Sequence, residues 1–359
     1  MEFGKKVKTK TVICGIAAIA VFLVLLMLLQ RLLVPKYMSG VYEGRLIGEY
    51  YDEEKNHDVI FIGDCEVYEN ISPVALWENY GITSYIRGSP QQLVWQSYYL
   101  LEEMLRYETP RVVVLSVLDL KYGSPQNEAY NRLTLDGMRL SAPKIKSVRA
   151  SMTADEDWIT YVLPVLRYHD RWQELTGDDF TYFFSGDRVS HNGYMMRCDI
   201  KPASFVPTGP RLPDYSFSAA SYEYLDRITA LCEANGIELV LFKAPSLYPY
   251  WYDEWDEQME QYANGRGVNY INTLEYIGDI GLDFDSDTYD AGLHLNFYGA
   301  EKLSVWLGDY MQTAFGLEDH RGDGRLSAVW DGKCAAYYSM MAAQLADLEA
   351  YGEVRTFTY

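Results

Sequence analysis

The hydrophobic pattern opens with an uninterrupted apolar stretch. Thr11 to Leu29 reads TVICGIAAIAVFLVLLMLL and holds no charged residue. A helix rises about 1.5 Å per residue, so some twenty such residues cross a hydrocarbon core of about 30 Å. The stretch exceeds the roughly 7–15 apolar residues of a typical cleaved leader. Gln30 to Lys36 offer no small-residue cleavage site. Residues 11–34 are therefore expected to form a transmembrane signal anchor. A basic segment precedes it at 1–10, and a juxtamembrane connector follows at 35–56.

Beyond the connector the pattern becomes short apolar runs alternating with helical periodicity. DVIFIG (58–63), ITSYIRG (82–88) and TPRVVVLSVLDL (109–120) read as strands buried on both faces. Between them lie two predicted helices. SPVALWENYG (72–81) has Ser72 as N-cap, Pro73 at the first helical position and Gly81 as stop. QQLVWQSYYLLEEMLRYE (91–108) is apolar at helical spacing. The alternation lapses over 121–215, which holds an amphipathic piece at 157–175 and reads as one insertion. It resumes with a helix at 221–236, a strand at 237–246, a helix at 251–267, a strand at 268–273 and a closing helix at 300–316. The order predicts βαβ units with right-handed crossovers, hence a three-layer α/β/α domain over 57–318 with a mostly parallel central sheet. A helical extension is expected over 319–359, its helix at 335–351.

Charge adds orientation. Lys5, Lys6, Lys8 and Lys10 precede the apolar run, whereas Arg31 and Lys36 are the basic residues just after it. That asymmetry places the N-terminus in the cytoplasm and the bulk of the chain outside. Residues 1–36 hold five Lys, one Arg and one Glu; with −20 overall, the remainder carries −25. A domain so acidic does not bind nucleic acid or an anionic surface through bulk charge. The 32 tyrosines suit contact with a polymer, or simply half-buried packing. The five cysteines, Cys14, Cys65, Cys198, Cys232 and Cys334, form no CxxC pair, so neither a zinc site nor a disulfide framework is signalled. No metal or cofactor site is expected.

Two segments carry candidate chemistry. GDCE (63–66) ends the first predicted strand, where open parallel sheets bind ligands. Gly63 permits a tight turn, and Cys65 just beyond it is either a reactive thiol or a buried inert one. Asp64 and Glu66 oppose thiolate formation. TYDAGLHLNFYGAEKLS (288–304) places His294 in a loop before the closing helix, after Asp283, Asp285, Asp287 and Asp290. A loop histidine oriented by a carboxylate can serve as a general base.

Together, strand–GDC at the start and D…HLN…G before the last helix resemble the first and last motifs of the SGNH (GDSL-like) hydrolases, across most of 57–316. Within them the likeness is to the DltD-like group of membrane-anchored bacterial cell-envelope proteins, whose GSSE-type motif GDCE matches with Cys65 at the nucleophilic serine. The resemblance implies a flavodoxin-like sheet and a Cys65–His294–Asp290 triad. It also implies an oxyanion hole from the backbone N–H groups of Cys65 and Gly88. The family acid lies three residues before the histidine, where this chain has Ala291, so Asp290 and Asp287 both stand as acids. The family's oxyanion asparagine has no clear counterpart among Ser116, Asp119, Asn127 and Asn131. Arg87, Trp95, Tyr98 and Tyr99 line a substrate groove or pack a helix on the sheet, and helical spacing favours packing. SLYPYWYDEW (246–255) follows a strand end and is placed to border the pocket.

The resemblance implies an extracytoplasmic acyl esterase or O-acyltransferase acting on a carbohydrate or cell-envelope polymer. A membrane-bound O-acyltransferase would be its partner. The alternative is a catalytically degenerate accessory or polymer-binding subunit of such a system; a third reading is an esterase acting alone.

Overall fold

The computed structural model of the chain describes residues 2–37, 40–184, 186–206 and 208–359. The side chains of residues 2–9, and so the basic groups of Lys5, Lys6 and Lys8, lie outside the described residues, as does that of Phe184. So do Met38 and Ser39 of the expected connector and Ser185 and Pro207 of the expected insertion. The chain forms two compact units. One joins the residues up to Lys36 with Asp157–Asp187; the other comprises Tyr37–Glu156 and Arg188–Tyr359.

The first unit is built on helix α1 (Glu2–Leu33). Its part Lys10–Leu33 has a mean hydropathy of 3.2, and from Lys10 to Leu25 it is bare of protein. It is one helix long and apolar enough to cross a membrane, and it fits a single-pass anchor. Residues 157–187, expected as part of one insertion, supply short helices that pack on α1, among them Val165–Tyr168 and Gly177–Phe184.

The second unit holds a five-stranded sheet of β1 (Val59–Gly63), β2 (Ser84–Gly88), β3 (Val112–Ser116), β4 (Glu238–Lys243) and β5 (Asn269–Asn272). All pairings are parallel, in the order β2-β1-β3-β4-β5, the flavodoxin-like order. Nearly every strand residue of β1 to β4 is buried, as expected for a sheet covered on both faces. Alternate side chains divide between the faces. Val59, Phe61, Val112, Val114, Val240 and Phe242 share one core with Trp77, Leu303 and Leu307, from α3 (Pro73–Tyr80) and α8 (Phe297–Phe315). The other face is covered by α4 (Val94–Met104) and α6 (Ala219–Ala234), with α5 (Ala142–Ser151) packed on α4. Helix α7 (Asp253–Arg266) flanks β5.

The helix signals read in the sequence act as expected. The Ser72 hydroxyl accepts the Ala75 N–H at 3.2 Å, and Gly81 closes α3 in the left-handed conformation. Trp95 and Tyr99 are buried in the packing of α4, and the Trp95 indole donates to Ser151 at 3.1 Å. Two segments hold more structure than expected. Helix α9 (Gly324–Tyr351) begins well before residue 335, because the Asp323 carboxylate caps it by accepting the N–H groups of Arg325 and Leu326. Its Trp330 stacks on Trp77 of α3, ring centroids 5.1 Å apart. The connector folds into single helical turns over Tyr42–Asp52, burying Leu46, Ile47 and Tyr50. Turns of three or four residues carry no periodicity to read.

Gly63 closes β1 at φ +148°, and a Cβ there would lie 2.4 Å from the Ser116 Cβ. A side chain faces both a disfavoured backbone conformation and a neighbouring strand. Gly63→Ala is expected to destabilise the second unit by about 2 kcal/mol or more. A thermal unfolding midpoint equal to that of the parent chain would contradict this reading of the turn.

Candidate active site

Cys65 is the first residue of a single helical turn, α2 (Cys65–Tyr68), directly after β1. Its N–H lies at a helix N-terminus, where it has no helical acceptor. Asp64 caps the turn: its carboxylate accepts the Glu66 N–H and the Ser116 hydroxyl, both at 3.1 Å. Glu66 turns inward and pairs with Lys243 at 2.5 Å, both side chains essentially without solvent contact. Lys243 also donates to the Ala244 carbonyl at 2.7 Å, and Glu66 accepts the Ala244 N–H at 3.3 Å. The turn is thereby held to the carboxyl ends of β3 and β4.

The loop before α8 brings His294 and Asp290 together. The Asp290 carboxylate accepts the His294 N–H at 2.8 Å and meets Nδ1 of the imidazole at 2.7 Å. Asp290 lies four residues before His294, one more than the spacing that the sequence resemblance implies. The loop absorbs that residue at Ala291 (φ +69°) and Gly292 (φ +98°), whose left-handed conformations fold it back. Thr288 fixes the loop, its hydroxyl donating to the His294 carbonyl at 2.7 Å and accepting the Gly292 N–H at 2.8 Å. Residues 246–255 do border it: Tyr248 donates to the Asp290 carbonyl at 2.5 Å and the Leu247 N–H to Gly292 at 2.8 Å. Asp287 is committed elsewhere, to Lys302 at 2.6 Å and the Asp283 N–H at 2.8 Å.

Sequence reasoning missed a second carboxylate. Glu69, just after α2, lies 3.3 Å from His294 Nδ1 and accepts a hydrogen bond from Tyr289. Its only sequence signal was closeness to Cys65. Glu69 and Tyr289 also line a cleft of about 190 Å³ with Tyr42, Glu43, Arg197 and Phe357. Among the described residues no three His, Cys, Asp or Glu side chains form a group able to hold a metal.

The Cys65 thiol and the His294 imidazole are near enough for each to shift the other's pKa. Nδ1 is held by Asp290, and Nε2 closes no hydrogen bond at rest among the described residues. Burial disfavours the imidazolium, but the nearby Glu69, the sulfur of Cys65 and Asp290 outweigh it, and the His294 pKa rises well above the ordinary value. Burial and then the Asp64 charge push the Cys65 thiol up to about 12, against the opposing pull of His294.

The oxyanion donors need correction. Strand alternation puts the Gly88 N–H on the side of Ile86, whose N–H donates outward to the Asn192 carbonyl at 2.9 Å. The next N–H, of Ser89, is taken by the Gly63 carbonyl at 3.3 Å. Asn127 caps the helix Glu128–Leu135, and Asn131 is spent on Ser151, Glu156 and Gln96. Ser116 is spent on Asp64. Asp119 does lie near the site, buried; burial first, then the Asp64 charge, raise its pKa, and neither of its carboxyl oxygens closes a hydrogen bond among the described residues. Arg87 lines no groove: it is fully buried, paired with Glu103 at 3.2 Å and stacked over Tyr50.

No family model and no curated protein sequence matches the chain. Among solved structures, a GDSL-like lipase from Bacteroides thetaiotaomicron is similar at 12% identity, covering 76% of this chain and 98% of that one, with a TM-score of 0.35.

The charge on Asp64 is the part of this environment open to a conservative test. Asp64→Asn keeps a capping oxygen but removes the charge beside the sulfur. Thiolate content rises about tenfold per unit fall in pKa, and lost nucleophilicity returns part of that. Iodoacetamide should therefore label Cys65 at least about threefold faster in the variant, read by peptide mass at a fixed mildly alkaline pH. Equal rates would show that Asp64 does not suppress the thiolate.

Proposed function

We propose that the chain is a membrane-anchored, extracytoplasmic acyl-transfer enzyme of the SGNH type. The observation that carries this reading is the His294 imidazole, held by Asp290 at 2.7 Å and lying 3.3 Å from Glu69, the residue that follows the turn opened by Cys65 at the carboxyl end of β1. Cys65 Sγ attacks the carbonyl carbon of an ester while its proton passes to His294 Nε2. The tetrahedral intermediate expels the alcohol, which takes that proton, and leaves a thioester on Cys65. A hydroxyl of a second molecule, or water, then attacks the thioester as His294 removes its proton, and the thiol leaves reprotonated. Asp290 orients the imidazole and, with Glu69, stabilises its charged form.

The Cys65 N–H is the oxyanion donor this arrangement leaves available. Loss of one donor typically costs about 10²–10³ in rate, so slow turnover is expected. The acceptor is proposed to be a carbohydrate or cell-envelope polymer, and the cleft beside Glu69 and Tyr289 is the proposed place of its approach. A membrane-bound O-acyltransferase is the proposed partner that delivers the acyl group. The basic residues before the apolar run support an inside N-terminus. A second reading, a polymer-binding or assembly subunit without turnover, is favoured by one observation: a thiol near 12 carries little thiolate at neutral pH.

Hydrolysis of p-nitrophenyl acetate decides between the two readings. Cys65→Ala should lower the rate at least about a thousandfold with the fold retained. The parent rate should also rise with pH, because the base acts only when neutral and the acids beside His294 hold its proton beyond the ordinary range near about 6.5. An equal rate in Cys65→Ala removes Cys65 from the mechanism. An ascending limb at or below the ordinary histidine range removes the acids' role.

A further inference from the structure

Residues 157–187 pack on the last two turns of α1, and their position along that helix fixes their depth. The 24 residues Lys10–Leu33 span about 36 Å, against a hydrocarbon core of about 30 Å. The uncharged run ends at Leu29, so Gln30–Leu33 stand at the headgroup level. That is where the segment docks. Leu26 and Gln30 are half-buried and Leu33 is buried, on one face of α1, whereas the helix from Lys10 to Leu25 is bare. The Arg31 guanidinium lies over the Phe183 ring at 5.2 Å. Arg171 donates to the Leu33 carbonyl at 2.7 Å, satisfying a helix end. Asp179 accepts from Arg171 at 2.9 Å and pairs with Lys36 at 3.9 Å. Its carboxyl pKa is lowered: burial works against this, but hydrogen bonds from the Thr176 N–H and Arg171 outweigh it. An ion-pair network thus clamps the segment to the emerging end of the helix.

Bound at that depth, the segment turns large apolar side chains outward. Trp158 is 47% exposed, Leu166 50%, Trp172 66% and Phe180 54%. Four large apolar side chains this exposed within one short segment point to a surface that meets something other than water. Tryptophan rings at headgroup level are the pattern of a membrane interface. The segment holds six acids (Asp157, Asp170, Glu174, Asp178, Asp179, Asp187) against Arg167 and Arg171. An anionic polymer or acidic partner is therefore a poor fit, and attraction to lipid must come from the apolar rings.

We infer that residues 157–184 form a membrane-interfacial platform, with Trp158, Trp172, Leu166 and Phe180 embedded in the leaflet at the C-terminal end of α1. The occupant of this face is lipid, the same bilayer that α1 crosses. The inference rests on reading α1 as a retained span, which belongs to the proposed function. Two contacts to the bilayer, a helix and a lateral foot, restrict tilt about the anchor in a way that a single helix does not.

The test uses the full-length chain in phosphatidylcholine vesicles with brominated acyl chains, which quench tryptophan within the bilayer. Trp158→Phe/Trp172→Phe changes two exposed rings, so folding is spared. The parent should show a bromolipid-quenched fraction of its emission, and the double variant should lose most of it. Vesicle association resistant to carbonate reports α1 separately and should be equal in both. If both proteins remain associated and the quenched fraction is unchanged by the substitutions, the rings face water or another protein and the inference falls while the anchor stands. If neither remains associated, the anchor and the platform fall together.

Discussion

The buried ion pair between Glu66 and Lys243 sets the geometry on which the site depends. It joins the residue after Cys65 to the last residue of β4 at 2.5 Å, in a place with almost no solvent contact. Leaving either charge buried alone typically costs about 3–5 kcal/mol, so the pair acts as a pin: the turn carrying Cys65 cannot leave the sheet without exposing both partners. The Asp64 cap and its bond to Ser116 pin the same turn to β3. With the sulfur fixed at the carboxyl ends of the strands, the loop before α8 has one direction from which to bring an imidazole.

That rigidity carries an electrostatic consequence. Asp64, Glu69 and Asp290 lie around the sulfur and the imidazole, and Lys243 offsets none of them because it is spent on Glu66. So much negative charge stabilises an imidazolium and opposes a thiolate. The arrangement resembles a serine-type triad in which the base waits for the substrate, more than a preformed thiolate–imidazolium pair. Proton transfer then has to accompany attack on the ester, as in general-base catalysis.

Much of the sheet was legible because its strands are buried on both faces, and VIFIG and VVVLS permit few other readings. Cys65 and His294 were legible because each sits at a strand end or loop whose position the alternation of elements fixes. Asp290 was legible only as one of two acids. The choice lay in the left-handed backbone at Ala291 and Gly292 and in the capture of Asp287 by Lys302, neither of which is a property of spacing. Glu69 and Lys243 escaped because their roles follow from contacts with residues distant in the chain. The Gly88 assignment failed for a different reason: a glycine at the right strand end says nothing about which side its N–H faces.

The central claim is that Cys65 carries the acyl group. Its most direct measurement is the mass of the protein's peptides after rapid acid quench during turnover of an activated acyl ester. The account predicts an acyl group on the peptide containing Cys65, released by neutral hydroxylamine as a thioester is, and absent from His294→Ala. Continued turnover with no adduct on Cys65, or an acyl group stably bound to another residue, would contradict it.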